Sequence, residues 1–313
     1  MLMYVGRKLA SGLVLFLTVT LVTFALVFSN GEKSVRNNLG ELATDEQVAR
    51  RVAELHLDQP VLTQYVKWLG DLLTGSLGQS FNSGEDVVTL LRSRIPVTLS
   101  IIFLALLFTF VLSVTIGVAS AAKGGWIDRA LQFVAGTAAA LPNFLVGIAL
   151  MFLFAIALRV FPATGYVPFG DNPRGWAQSL VLPVAALVIH MVASSAQQFR
   201  GAMVDALKQD YIRTLRSRGL PERAVVLRHA LRNAATPGLT ILSVQTIGLL
   251  GGAVLIEQIF ALSGVGQFTV TASLAGDLPS VMGVVAFGTL LVLVVNIVAD
   301  VLIAWINPKV RLS

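Results

Sequence analysis

The sequence predicts an all-α, polytopic membrane protein with about six transmembrane helices. Hydrophobic residues make up 55% of the 313-residue chain and charged residues only 13%, whereas soluble domains carry about 25% charged residues. A helix needs about 20 apolar residues to cross the hydrocarbon core. Six stretches meet this requirement, and they cover residues 9–28, 97–122, 131–157, 178–199, 236–260 and 281–305. The chain has no cysteine, which excludes disulfide bonds, thiolate metal sites and cysteine nucleophiles.

The first apolar stretch runs from Leu9 to Phe28 without a charged residue and follows Arg7 and Lys8. A basic pair before an apolar run also fits a signal peptide. The run is long for a signal peptide, however, and no clean cleavage site of small residues follows it. We therefore expect an uncleaved first transmembrane helix.

Residues 29–95 are too polar for the lipid interior and predict a small helical segment outside the membrane. Thr44 and Gln47 fit a capping box at the start of one helix. A second helix is predicted to begin at Pro60, with an apolar face made of Leu62, Tyr65, Val66, Leu69 and Leu73. A third short helix is predicted over about 84–95, before Pro96 and the second span. Taken alone, these residues indicate a packed segment without chemistry.

The distribution of charge predicts the orientation. With the N-terminus inside, the inner segments hold 14 lysine and arginine residues and the outer segments hold nine. Eight of the inner ones lie between Arg200 and Arg232, beside only three acidic residues, whereas segment 29–95 has seven basic and nine acidic residues. Because basic residues concentrate on the cytoplasmic side of membrane proteins, both termini are predicted to be cytoplasmic.

The inner segment carries a helix–break–helix pattern. Met203, Leu207, Tyr211 and Leu215 recur every four residues, which predicts one amphipathic helix. Gly219 and Pro221 predict its end, and a second helical stretch is expected over about 222–232. A basic amphipathic loop of this kind fits either an anionic lipid surface or a protein partner, and composition alone leaves both open.

The stretch from Gln209 to Leu220, continued by His229–Ala234 and Pro237, resembles the cytoplasmic "EAA" loop of ABC importer permeases. The resemblance is closest to the dipeptide, oligopeptide, nickel and glutathione permeases. The Glu-Ala-Ala triplet of the general motif is replaced here by Arg213, Thr214 and Leu215. Further segments resemble the same family in order along the chain, and they lie at 57–60, 64–65, 75–80, 257–260 with 264–266, and Asp300 with 307–311.

The resemblance implies a type I ABC importer permease fold. Residues 1–28 would form the N-terminal tail and first helix, 29–95 an extracytoplasmic helical segment, and 96–313 a five-helix core with a coupling loop at 200–235. The loop would dock on an ATP-hydrolysing subunit through Asp210, Tyr211, Arg213, Thr214, Arg216, Ser217, Arg218, Gly219, Leu220 and Pro221. A gate or pathway role is expected for Glu257, Phe260, Gly264, Gly266 and Asp300.

The same resemblance implies the partners. These are a second permease subunit in a heterodimer, two ATP-binding subunits and an extracytoplasmic substrate-binding protein, in the bilayer of a bacterial cytoplasmic membrane and without nucleic acid. No cofactor is expected in this chain. ATP and Mg would bind to the partner subunits, since the sequence lacks the G-x-x-x-x-G-K-[ST] phosphate-binding motif. Peptides are the expected cargo, with nickel chelates, glutathione and sugars as alternatives.

No catalytic or metal site is predicted. His56, His190 and His229 lie in three regions without a partner at metal-ligand spacing. Asp300 should face the helix bundle or the partner subunit, because a charge in lipid costs roughly 2.5–3.5 kcal/mol. The sequence fits both a gate residue and a helix–helix packing contact at this position. The polar residues Ser194, Ser195, Gln197 and Gln198 fit a pathway lining or close helix packing. The sequence shows neither the charged or glycine-rich filter expected of an ion channel nor the paired halves with broken helices expected of a secondary transporter. It also lacks the clustered histidine or acidic residues that a membrane enzyme would need.

Overall fold

The computed structural model describes residues 2–29, 31–40, 43–55 and 57–306, and these residues are helical apart from turns and loops. The expected all-α fold is confirmed. His56 and the predicted C-terminal motif at 307–311 lie outside the described residues. The helices are α1 (Leu2–Phe28), α2 (Gly31–Leu39), α3 (Asp45–Glu54), α4 (Val61–Leu73), α5 (Val87–Lys123), α6 (Gly125–Ala140), α7 (Asn143–Leu150), α8 (Pro173–Leu207), α9 (Asp210–Ser217), α10 (Glu222–Ala224), α11 (Leu231–Ile259), α12 (Val265–Leu274) and α13 (Leu278–Ile306). Wider π-helical turns extend α7 over Met151–Ala157 and join α10 to α11 over Val225–Ala230.

Four described helices, α1, α5, α8 and α13, are long and apolar enough to cross a membrane alone. The number is six if each of two bent helix pairs is counted as one span. One pair is α6 with α7, at 96°, and the other runs from Glu222 to Ile259 with a 53° bend. The predicted span over 131–157 is therefore broken into two helices at Leu141 and Pro142. Pro142 has no N–H and forces the preceding residue out of helical geometry, so Leu141 is extended (φ −86°, ψ 126°).

A second boundary also differs from the prediction. No separate helix covers 84–95, because α5 runs through Pro96 without interruption. A proline removes one backbone donor, and packed neighbours in membrane proteins can satisfy the group that it frees.

The chain divides into two compact units. The 2–98 unit comprises residues 2–98 and 263–293, and the 99–262 unit comprises residues 99–262 and the described chain from Val294 onwards. The domain boundaries expected from the sequence stay predictions.

The 2–98 unit has an aromatic core. Phe24 of α1 contacts Tyr65 and Trp68 of α4, and these rings pack with Met282 and Ala286 of α13. The predicted apolar face of α4 is partly wrong, since Leu62, Val66 and Leu73 are exposed. The two large rings instead set the buried face, and Leu69 and Leu72 complete it. The predicted capping box of α3 is confirmed, with the Thr44 and Gln47 side chains each bonded to the other residue's backbone N–H.

The 99–262 unit is organised around α8, which packs against α6, α7 and α11. Phe199 of α8 is buried where α5 and α11 approach it closely. A Cβ atom added at Gly117 would lie 2.7 Å from the Phe199 Cβ, and one at Gly238 would lie 2.2 Å from the Phe199 ring. The absence of a side chain at these two glycines is what permits the close helix crossing.

Candidate functional site

The segment predicted to couple with an ATPase folds as a short helix, α9, separated from α8. The prediction of one helix from Met203 to Leu215 is wrong, because α8 ends at Leu207 and Gln209 is extended (φ −67°, ψ 148°). Asp210 in the first turn and Arg216 in the last turn both complement the helix dipole.

Helix α9 is held on the protein by one face. Ile212 is fully buried in a cluster with Met203, Val225 and Ala230, and Leu215 packs against the same cluster. Sequence reasoning placed Tyr211 in the apolar stripe, but its side chain is 36% exposed. The Tyr211 hydroxyl accepts a hydrogen bond from Asn233 Nδ2 at 2.6 Å. The burial of Ile212 could have been predicted only if the break at Gln209 were known, because the break shifts the helical register of the residues that follow it.

The end of α9 forms a Schellman motif. Gly219 N donates to the Arg216 carbonyl (2.9 Å), and Leu220 N donates to the Leu215 carbonyl (3.3 Å). Gly219 has φ +77°, the left-handed region in which glycine closes helices without strain. Pro221 then precedes α10. The predicted break at Gly219 and Pro221 is confirmed.

An ion pair crosses this break. Arg216 donates from Nε and Nη2 to the two carboxylate oxygens of Glu222, at 3.0 and 2.5 Å. The hydrogen bond to Glu222 raises the pKa of Arg216 above its ordinary value. The two-point bond sets the direction in which Arg216 meets Glu222. Both side chains are about half exposed, so the pair adds little stability, and the closing turn and the Ile212 cluster hold α9 in place.

The structure brings the predicted coupling residues together on one surface. All of them except the half-buried Leu220 are exposed, and they comprise Asp210, Tyr211, Arg213, Thr214, Arg216, Ser217, Arg218, Gly219 and Pro221. We call this set the α9 surface. It is basic and rigidly backed by the Ile212 cluster, which suits it to transmit a rigid-body displacement. Its role in coupling stays a prediction.

The predicted gate residues are divided between the two units. Glu257 and Phe260 are buried at the end of α11, and the Phe260 carbonyl accepts a hydrogen bond from Gly165 N at 3.0 Å. Gly264 and Gly266 lie in the 2–98 unit, where Gly264 precedes α12 and both are buried. Asp300 is half-buried on α13. Within the described residues, no group of three or more histidines and acids could hold a metal ion.

Asp277 is a polar residue that sequence reasoning missed. It is buried at the start of α13 and accepts hydrogen bonds from Ser80 Oγ (2.5 Å), Phe81 N (2.9 Å) and Ser280 Oγ (2.7 Å). It thereby joins the loop before α5 to the turn between α12 and α13. The only sequence signal is its place as an acid before Leu278 and Pro279, which fits a helix N-terminus.

Sequence reasoning also missed an ion pair in the 99–262 unit. Arg200 of α8 makes a two-point ion pair with Asp128 of α6, in which Nε lies 2.5 Å from Oδ1. Ser120 of α5 donates to the same carboxylate. Three helices are therefore tied at one point, near the end of α8 that leads into α9.

Known proteins match this chain over nearly its whole length. Residues 113–312 match the family "binding-protein-dependent transport system inner membrane component", and residues 1–102 match the N-terminal component of such systems. The chain is 37% identical over 307 residues to a relative from Brucella abortus, with 97% of this chain and 98% of the relative covered.

Two further relatives have informative names. One is the di/tripeptide transport system permease protein of Pseudomonas aeruginosa, 33% identical with 99% of each chain covered. Another is the oligopeptide transport system permease protein of Bacillus subtilis, 30% identical with 98% of this chain and 99% of the relative covered.

A solved structure supports the fold. The crystal structure of an amino acid ABC transporter superposes with a TM-score of 0.50 at 15% identity, covering 69% of this chain and 93% of that one. Apolar spans, an exposed helix after α8 and matches to both family models agree. The chain therefore belongs to the family of binding-protein-dependent transport system inner membrane components, the multi-pass permease subunits of ABC importers.

Proposed function

We propose that this permease imports peptides, as one half of a heterodimeric translocation pathway in a bacterial cytoplasmic membrane. The relatives named for di/tripeptide and oligopeptide transport support a peptide cargo. Nickel chelates, glutathione and sugars are the alternative cargoes. A zwitterionic peptide cannot cross the hydrocarbon core unaided, because each buried charge costs several kcal/mol there.

ATP hydrolysis belongs to two separate subunits in this proposal, and so does the binding of ATP and Mg. The observation that carries the proposal is the α9 surface, an exposed helix with a buried backing face and a fixed closing turn. A partner subunit that moves on ATP binding would displace this helix as a rigid body, and the helices packed on it would follow.

The orientation follows from the basic charge of the 200–235 loop. Both termini and the α9 surface would face the cytoplasm, and segment 29–95 would meet an external substrate-binding protein. Glu257, Phe260, Gly264, Gly266 and Asp300 are the proposed gate or pathway residues, and α9 carries the coupling residues.

Co-purification tests the proposal. The tagged chain is extracted from its native host in mild detergent, and the associated proteins are identified. We expect an ATPase subunit to co-purify, with a turnover that rises when peptide-loaded binding protein is added. The substitution Arg213→Glu on the α9 surface should weaken this association, whereas Arg50→Glu on α3 should leave it unchanged.

Two outcomes would contradict the proposal. If no ATPase subunit co-purifies with the chain even after gentle crosslinking, the coupling assignment fails. If an ATPase associates but responds to a nickel chelate or a sugar and not to peptides, the coupling assignment stands and the peptide cargo is wrong.

A further inference from the structure

A cavity with four polar side chains in its wall lies at the break between α6 and α7. Its volume is about 310 Å³, and its polar side chains are Asn143, His190, Ser194 and Gln245. His190 lies midway along α8 and Gln245 midway along α11. At a rise of 1.5 Å per residue, roughly 20–25 Å of helix extends on either side of each. The cavity is therefore at the depth of the membrane interior.

The break itself supplies the frame of the cavity. Leu141 is extended before Pro142, so its carbonyl is released from the α6 ladder and accepts a hydrogen bond from His190 Nδ1 at 3.2 Å. Because a carbonyl can only accept, Nδ1 carries the proton, and a neutral His190 ring has Nε2 as an acceptor.

Helix α11 contributes small residues and one amide. A Cβ at Gly252 would lie 2.4 Å from Asn143 Nδ2, so only glycine admits the Asn143 amide here. Gly248 lines the cavity, and a Cβ there would meet nothing within 4 Å. Gln245 Nε2 donates to Ser194 Oγ (2.7 Å), and its Oε1 accepts from Ser195 Oγ (2.8 Å).

The lining of the cavity combines neutral polar groups with an apolar floor. Two amides, a hydroxyl and an imidazole face a floor of Leu187, Met191 and Leu249, and none of the lining residues is charged. Neutral groups that both donate and accept match a peptide group, which has one N–H and one C=O. No charged lining residue is present to pair with a free carboxylate, so the match is to the peptide group of the cargo and not to its charged ends.

From this geometry we propose that the cavity is a contact site for the peptide group of the cargo during translocation. The proposal rests on the proposed peptide import and adds the residues that hold the cargo inside the membrane. Asn143 and Gln245 bond the peptide group, Ser194 orients Gln245, and the Leu141 carbonyl orients His190. The apolar floor accepts a cargo side chain.

Uptake per ATP hydrolysed tests the amides in the full importer reconstituted with its binding protein in liposomes. Asn143→Leu and Gln245→Leu should each lower peptide uptake per ATP by about three- to tenfold, the worth of one hydrogen bond. ATP turnover is measured in the same liposomes, so that the uptake of each variant is divided by the hydrolysis that accompanied it. Thr240→Val is the matched control on α11, since its hydroxyl bonds only the Thr236 carbonyl of its own helix. A depsipeptide, in which an ester replaces the peptide N–H, should be discriminated less by Gln245→Leu than by the wild type.

Thiol protection tests the site without disturbing its polar groups. The chain has no cysteine, so Gly248→Cys introduces a single thiol into the cavity. Gly251→Cys is the control, because a Cβ there also meets nothing within 4 Å but Gly251 does not line the cavity. Labelling of this chain by a small maleimide should fall at least about threefold for Gly248→Cys when peptide-loaded binding protein and ATP are present. It should not change for Gly251→Cys.

The results separate the two proposals. Equal labelling of Gly248→Cys with and without cargo, or equal protection of both variants, overturns the contact site if the wild type imports peptides. Unchanged uptake per ATP in Asn143→Leu and Gln245→Leu also overturns it. A wild-type importer that takes up no peptide overturns the proposed function instead.

Discussion

Gly219 shows how one residue fixes the geometry of the α9 surface. Its φ of +77° lies where residues with a Cβ are strained, yet a Cβ at this position would meet nothing within 4 Å. Any effect of substitution therefore comes from backbone strain and not from a clash. The Schellman turn that Gly219 closes also aligns Arg216 with Glu222.

Replacing Gly219 with valine should uncouple ATP hydrolysis from transport while membrane insertion stays intact. A β-branched residue at positive φ costs roughly 1–2 kcal/mol, which is enough to reopen the turn and release α9. Gly219→Asn should be milder, since asparagine tolerates this conformation. Peptide uptake, normalised to the amount of inserted protein, is the measurement. Normal uptake in Gly219→Val would count heavily against the coupling role.

Asp277→Ala should destabilise the 2–98 unit, because it leaves the Ser80 hydroxyl and the Phe81 N–H without their acceptor in a buried place. The expected cost is about 1–3 kcal/mol for each unsatisfied buried group. Thermal unfolding in detergent measures it, and faster hydrogen exchange at Phe81 would localise it. Asp71→Ala is the control, since Asp71 is exposed. Equal melting temperatures for the two variants would contradict a structural role for Asp277.

At the scale of the helix, the crossing of α5 and α8 depends on the missing side chain of Gly117. A Cβ there would lie 2.7 Å from the Phe199 Cβ and 3.0 Å from the Arg200 backbone N. Backbone atoms cannot rotate away as side chains can, so the two helices would have to separate. The Asp128–Arg200 ion pair lies beside this crossing and would move with it.

Gly117→Ala should lower the stability of the 99–262 unit by about 1–3 kcal/mol, as expected for an overpacked core. Gly136→Ala on α6 is the matched control. A Cβ at Gly136 meets nothing within 4 Å, and alanine favours helix over glycine by roughly 0.5–1 kcal/mol. The two variants should therefore shift the melting temperature in opposite directions. A rise for Gly117→Ala would show that the helices yield without cost.

At the scale of the whole molecule, the distribution of charge predicts the orientation. The basic loop that carries α9 holds eight lysine and arginine residues from Arg200 to Arg232. Because basic residues concentrate on the cytoplasmic side of membrane proteins, we expect this loop to face the cytoplasm.

Single cysteines in this cysteine-free chain test the orientation. A membrane-impermeant maleimide should label Ser83→Cys in intact spheroplasts, and it should label Ser217→Cys only after the membrane is permeabilised. Both positions are exposed, so accessibility within the protein does not limit the reaction. Labelling of Ser217→Cys in sealed spheroplasts would invert the proposed topology and remove α9 from any cytoplasmic ATPase.

The sequence by itself determined the features that depend on local order along the chain. Apolar runs predicted the membrane helices, Thr44 and Gln47 predicted the cap of α3, and Gly219 with Pro221 predicted the break after α9. These predictions succeeded because each depends only on residues that are neighbours along the chain. The motifs around α9 also predicted the family, which whole-length similarity to other permeases confirmed.

Only the tertiary structure decided what depends on partners distant in sequence. Sequence pattern could not show that Ile212 rather than Tyr211 is buried, because the break at Gln209 shifts the helical register. Nor could it show that Asp277 receives a hydrogen bond from Ser80, or that Asn143, His190 and Gln245 share one cavity. Polar residues become a site when separate helices bring them within hydrogen-bonding distance, and helix packing sets that distance.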